Sequence, residues 1–103
     1  MRIVLAYITN PTRREARNIA NLLLRKHLIA CANIFKTNSL YPWKGKLVDG
    51  EEHVLLVKTT SKKFNAMRRE VERVHSYKVP CILRVPADAN PAFAKWTEDV
   101  LRS

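Results

Sequence analysis

From Ile29 to about Leu47 the chain reads as one long extended segment, β-branched and aromatic-rich. Pro42 cannot donate to a ladder, so it marks an edge strand or a bulge. Gly45 suggests a bend or a close backbone approach. Asp49-Gly50 is a two-residue hairpin signal. Glu52–Thr60 then returns as the partner strand, with Val54, Leu55, Leu56 and Val57 at its centre. Any fold for this chain must seat that hairpin.

The flanking segments pair a strand with a helix on each side. Arg2–Thr9 is a strand with apolar residues on both alternating sets, as expected of one covered on both faces or central in a sheet. Asn10 can cap a following helix, and Pro11 fits its first position. That helix runs from Pro11 to about Lys26, with Ala16, Ile19, Ala20, Leu23 and Leu24 on one stripe. Arg25, Lys26 and His27 sit where a helix C-terminus favours positive charge, so His27 is a helix-end residue rather than a ligand. Ser61 caps a second helix, Lys62 to about Val74, in which Met67 is core filler. Val79–Val85 is the fourth strand, entered after Pro80 and stopped by Pro86. Asn90-Pro91 opens a last helix, to Leu101, that buries Phe93, Trp96 and Val100.

The order β-α-β-β-α-β plus a C-terminal helix gives an α+β, ferredoxin-like single domain over residues 1–103. Two right-handed crossovers flank the hairpin, and the antiparallel sheet runs four, one, three, two. Strand two is then a long, mostly apolar edge, a hazard in a monomer. The face of the sheet away from the helices is uncovered, yet strand one is apolar on both sides. Both facts predict an obligate oligomer, such as a closed ring of subunits. Cys31 and Cys81 fall on opposite edges, about 14 Å apart. A disulfide tolerates at most about 7 Å between α-carbons, so both are expected as free thiols.

The net charge of +10, from 19 Lys and Arg against nine Asp and Glu, raises encounter rates with polyanions. It is spread along the chain, which argues against a nucleic-acid protein. The central strands carry only Tyr7 as an aromatic, so sequence-specific RNA recognition is not indicated either. No apolar run approaches the roughly 20 residues of a membrane span. The start has no cleavable signal pattern, so the expected compartment is cytoplasmic. No zinc-ligand spacing, phosphate loop or nucleophile triad is present, and the chain reads as a non-enzyme with no organic cofactor.

Leu28-Ile29-Ala30-Cys31-Ala32-Asn33 is followed by Ser39-x-Tyr41-x-Trp43-x-Gly45-Lys46. Then come Glu52, Lys58-Thr59, His75-x-Tyr77-x-x-Pro80, and Asn90-Pro91 ahead of Trp96. As an ordered set these closely resemble the CutA family of divalent-cation tolerance proteins, over nearly the whole chain. The resemblance implies a ferredoxin-like homotrimer similar to the PII signalling proteins, no established reaction, and a link to copper and other divalent cations. For animal members it implies a link to acetylcholinesterase anchoring. The chain departs from the family where Ser76 replaces a usual proline, which predicts a looser loop around His75. Its strong positive charge is a second departure, and it predicts long-range repulsion of free cations.

Two candidate sites follow. Thiolate and imidazole suit copper, so Cys31 and His75 are the candidate metal ligands if the His75 loop approaches Cys31 within the trimer. The competing reading of Cys31 is a small buried strand residue. Tyr41, Trp43, Glu52, Lys58 and Tyr77 are a second constellation, either a small-ligand cleft at a subunit interface or interface packing with a Glu52–Lys58 ion pair. Cys81 matches no motif position, and His53 is expected exposed near the turn.

Overall fold

The computed structural model describes residues 1–102. Its elements are β1 (Arg2–Asn10), α1 (Arg13–Arg25), β2 (Cys31–Trp43), β3 (Lys46–Thr59), α2 (Ser61–Val74), β4 (Ile82–Asp88) and α3 (Pro91–Arg102). The four strands form one antiparallel sheet in the order β2-β3-β1-β4. This is the expected ferredoxin-like α+β arrangement, with β2 and β4 at the edges. Each edge strand carries a proline, Pro42 and Pro86, where a missing donor is tolerated. Pro86 does not stop β4, which continues to Asp88 and pairs Pro86 with Val4.

One face of the sheet packs on α1 and α2. Val4, Ala6 and Ile8 of β1 and Leu55 and Val57 of β3 meet Ala16, Ile19, Ala20 and Leu23 of α1 and Phe64, Met67 and Val71 of α2. Burying each larger aliphatic or aromatic side chain contributes roughly 1.5–3 kcal/mol. The stripe spacing read from the sequence is the spacing of this core. The helix starts differ from expectation. Thr12, not Asn10, caps α1, its hydroxyl accepting from the Glu15 amide at 3.1 Å. The Asn10 side-chain amide instead donates to the Ile8 and His53 carbonyls, tying β1 to β3. Thr60 occupies the cap position of α2, and the Ser61 hydroxyl accepts from Arg84. His27 does end α1, at φ 56°, in the left-handed position that closes many helices. On α3 the buried residues are Ala94, Thr97 and Leu101, while Trp96 stays exposed in the single chain.

The hairpin turn is the main revision. The β2–β3 ladder runs unbroken from Cys31↔Lys58 to Trp43↔Lys46, so the turn is Lys44-Gly45, and Asp49 and Gly50 lie inside β3. Both turn residues have positive φ, 51° and 77°, the geometry that matches the twist of a two-residue hairpin. A turn at Asp49-Gly50 would leave everything before Leu40 in β2 without a ladder partner. His53 is consequently half-buried mid-strand, between Asn10 and Lys36.

Because β1 pairs with β3 only from His53 onward, the ladder from Thr37↔Glu52 to Trp43↔Lys46 projects as a two-stranded ribbon. The molecule is elongated by it, 45 × 24 × 20 Å. Its radius of gyration is 14.3 Å, against about 13 Å for a compact chain of this length.

Turn placement has a direct test by chemical denaturation. Gly45→Ala forces a β-carbon into the left-handed region and lowers stability by about 1 kcal/mol. Gly50 has extended backbone, and a β-carbon there meets only Val48 at 3.8 Å. Gly50→Ala therefore stays within about 0.5 kcal/mol of the parent or gains stability. Equal losses at both glycines would contradict the Lys44-Gly45 turn.

Candidate functional site

Residues paired across an antiparallel ladder share a face. Ile8 and Leu55 face the helices. By alternation Tyr7, Thr9, Cys31, Tyr41, Trp43, Glu52 and Lys58 therefore face the opposite side, and Cys81 follows because Tyr7 pairs with Leu83. All the candidate strand residues thus share one face, as the hairpin reading required. They do not share one place on it. Glu52 and Lys58 are six residues apart on β3, about 20 Å along the strand. The expected ion pair between them is not formed.

At the ribbon end, Glu52 sits in an open cleft of about 720 Å³ between the ribbon and the 76–79 loop. Tyr41, Trp43 and Tyr77 line it, so four of the five predicted cleft residues come together. Ser39, which opens the Ser39-x-Tyr41-x-Trp43 motif, lines it too, as do Tyr7, Thr9 and Cys81, which no motif marks as site residues. Strand parity and strand order together would have found Tyr7, Thr9 and Cys81. The Tyr77 hydroxyl donates to Glu52 Oε2 at 2.8 Å. Burial, and then the hydrogen bond to the Glu52 carboxylate, push the Tyr77 phenol far above its ordinary range. Burial, and then the charge of Glu52, also raise the Cys81 thiol. Glu52 itself is buried and forms no ion pair among the described residues; Lys78, exposed on the 76–79 loop, is the one basic residue that lines the cleft.

At the other end of the face, Lys58 Nζ donates to Asn33 Oδ1 at 2.9 Å and lies 3.8 Å from Cys31 Sγ. The same ammonium stands 5.6 Å from the centre of the Phe93 ring of α3, so this end of the face is covered. Cys31 thus has a cation as its neighbour.

His75 is buried beside the start of α1. Its Nε2 lies 2.8 Å from the Thr9 carbonyl, which can only accept, and its Nδ1 accepts from the Tyr77 amide at 3.0 Å. The hydrogen bonds therefore define the Nε2–H tautomer and occupy both ring nitrogens. Glu15 Oε2 stands 3.4 Å from Nδ1 and accepts from the Ser76 amide at 3.1 Å. A proline at position 76 would have no N–H to give, so the loop is anchored by Glu15 rather than loosened. Within one chain the structure does not bring Cys31 and His75 together. Cys31 lies opposite Lys58, while His75 bonds Thr9, which lies opposite Val54, about 13 Å along the strand direction. Among the described residues no group of three or more His, Cys, Asp or Glu could hold a metal ion. No helix of the described residues is long and apolar enough to cross a membrane.

Residues 4–100 match the family described as CutA1 divalent ion tolerance protein. The chain is 42% identical over 96 residues to the divalent-cation tolerance protein CutA of Archaeoglobus fulgidus, covering 92% of this chain and 94% of that one. The solved structure of the periplasmic divalent cation tolerance protein CutA from that organism superposes with a TM-score of 0.92 at 40% identity, covering 98% and 99% of the two chains. The divalent ion tolerance protein from Ehrlichia chaffeensis gives 0.91 at 36% identity, over 96% and 94%. This chain belongs to the CutA family of divalent-cation tolerance proteins.

The coupling of Cys81 to Glu52 can be read by alkylation in a Cys31→Ser background. Only the thiolate reacts, so the rate of Cys81 modification rises at a higher pH than for an ordinary thiol. Glu52→Gln removes a negative charge that opposes ionisation and moves that profile to lower pH. A profile unmoved by Glu52→Gln would show that the two groups do not interact.

Proposed function

We propose that this chain serves divalent-cation tolerance as a non-enzymatic binding module, assembled as a homotrimer, with the Glu52 cleft as its ligand seat. The observation that carries this reading is a buried carboxylate, in an open aromatic cleft, that forms no ion pair among the described residues. Burying an uncompensated charge is costly, and one phenol hydrogen bond offsets only part of the cost. A cationic ligand supplies what is missing. A divalent ion would take oxygen from Glu52 and, once the thiol ionises, sulfur from Cys81. Copper is the first-row divalent ion that such a mixed set binds most tightly. A small organic cation would use Glu52 with Tyr41 and Trp43 as its apolar floor.

Metal binding by Cys31 and His75 enters this reading only through donors brought by neighbouring subunits. The trimer reading rests on the ribbon and the β2 edge. Leu40, Trp43 and Leu47 are exposed there, and an isolated two-stranded ribbon is marginal in water. The two free thiols suit a reducing cytoplasm.

The test is native mass spectrometry of the reduced protein, titrated with copper against a competing chelator. The expected result is a trimer holding chelator-resistant copper, lost in Glu52→Gln and kept in Cys31→Ser. Copper kept by Glu52→Gln and lost in Cys31→Ser would move the metal seat to Cys31. A trimer that loses all copper would leave the cleft to an organic cation. In the same instrument Trp43→Ala shifts the population from trimer toward monomer, and an undiminished trimer would remove Trp43 as an interface anchor.

A further inference from the structure

The positive charge, evenly spread in the sequence, is not evenly spread in space. The two helices on the outer side of the sheet, with the capping Lys26, carry ten of the 19 basic residues and three of the nine acidic ones. Those three acids are already engaged. Glu70 accepts from Lys26 and Arg73, and these two cations, Arg73 first, hold its carboxyl down to about 2. Glu72 pairs with Arg68 at 2.7 Å. Glu15 faces inward to Ser76 and His75. Arg13, Arg14, Arg17 and Arg25 of α1 and Lys62 and Arg69 of α2 remain exposed, with no acidic partner among the described residues.

All six are exposed, and helical geometry turns most of them outward. At about 100° per residue, Arg14 and Arg25 of α1 lie directly opposite the stripe of Ala16, Ile19, Ala20 and Leu23, with Arg17 beside them and Arg13 at the edge of the stripe, about 20° from Ala20. Lys62 and Arg69 lie within about 20° of one another, directly opposite Phe64, Met67 and Val71. We propose that this outer face of α1 and α2 is a sequence-independent docking surface for the phosphate backbone of a nucleic acid.

Charge complementarity and side-chain type choose the occupant. Five of the six free cations are arginines, whose fork bonds two phosphate oxygens at once. The apolar stripes of both helices are spent in the core, and Leu24 is the single large apolar side chain exposed on this layer. A lipid surface would therefore find nothing here to insert. The layer also exposes no aromatic side chain among the described residues, so bases have nothing to stack on. The chemistry is that of backbone contact without base reading. It is independent of the Glu52 cleft, which lies on the opposite side of the sheet.

The test is fluorescence anisotropy with a labelled 15-base-pair duplex of mixed sequence, in NaCl from 50 to 200 mM. Binding weakens with salt, with a log–log slope no steeper than about −5 per chain, the value for six phosphates. Arg13→Glu with Arg17→Glu weakens binding by about tenfold or more at the lowest salt, and so does Lys62→Glu with Arg69→Glu. Lys44→Glu with Lys46→Glu, an equal charge change at the ribbon turn, alters it by less than about threefold. Circular dichroism confirms that each variant is folded, and the two helix pairs back one another should either fail. Equal weakening by the ribbon pair would assign binding to net charge alone and overturn the proposal. So would no binding at 50 mM, or capture by phosphatidylserine–phosphatidylcholine vesicles without capture of the duplex.

Discussion

The β2–β3 ladder is the constraint on which the remaining structure depends. It is continuous from Cys31↔Lys58 to Trp43↔Lys46 and longer than any strand beside it. Its inner part joins the sheet and supplies Leu55 and Val57 to the core. Its outer part outruns β1 and becomes the ribbon. The cleft exists because of that overrun: Tyr41 and Trp43 stand beyond the end of the sheet, and the 76–79 loop closes toward them from the other side. A shorter hairpin would give the same core and no cleft.

The fold was legible because its signals were redundant. Helical stripes, alternating strands and the crossover rule all pointed to one topology, and the strand order followed. The turn was less legible for a specific reason. Moving it from Lys44-Gly45 to Asp49-Gly50 shifts the register by ten residues, an even number, so every side chain keeps its face. Hydrophobic alternation therefore cannot tell the two turns apart. Only the length of ladder each permits can do so, and the Asp-Gly pair carries the stronger local signature. The helix caps failed similarly: Asn10 and Thr12 are both good caps, and a tertiary bond to the His53 carbonyl claims Asn10.

The candidate site was half legible. The hairpin and parity brought Tyr41, Trp43 and Glu52 to one face, and Tyr77 joined them through a loop. Lys58 has the right parity at the wrong height, which sequence periodicity does not encode. The Cys31–His75 pair needed two segments to meet across the sheet, and the chain instead spends each on local partners. Cys31 lies beside Lys58, and His75 bridges β1 and its own loop. The Ser76 amide shows how a departure from the family pattern can be absorbed: the position that lacks proline's rigidity gains a donor, and Glu15 is placed to accept it.

Local partners also decide how a chain at +10 can serve a cationic ligand. Seven of those ten net charges reside on the helix layer, while the cleft lies across the sheet and holds a buried carboxylate. The molecule is 20 Å across in its thinnest direction, and at physiological salt the screening length is about 8 Å. Exposed arginines on one side are therefore largely invisible to an ion approaching the other. What such an ion meets is local: the buried Glu52 carboxylate, the Cys81 thiol, the phenols of Tyr7, Tyr41 and Tyr77, the Trp43 ring and, as the one cation of the lining, the exposed Lys78. Net charge describes how the whole chain meets a polyanion. The sign of a site is set within a few ångströms, by which groups the sheet turns to each face.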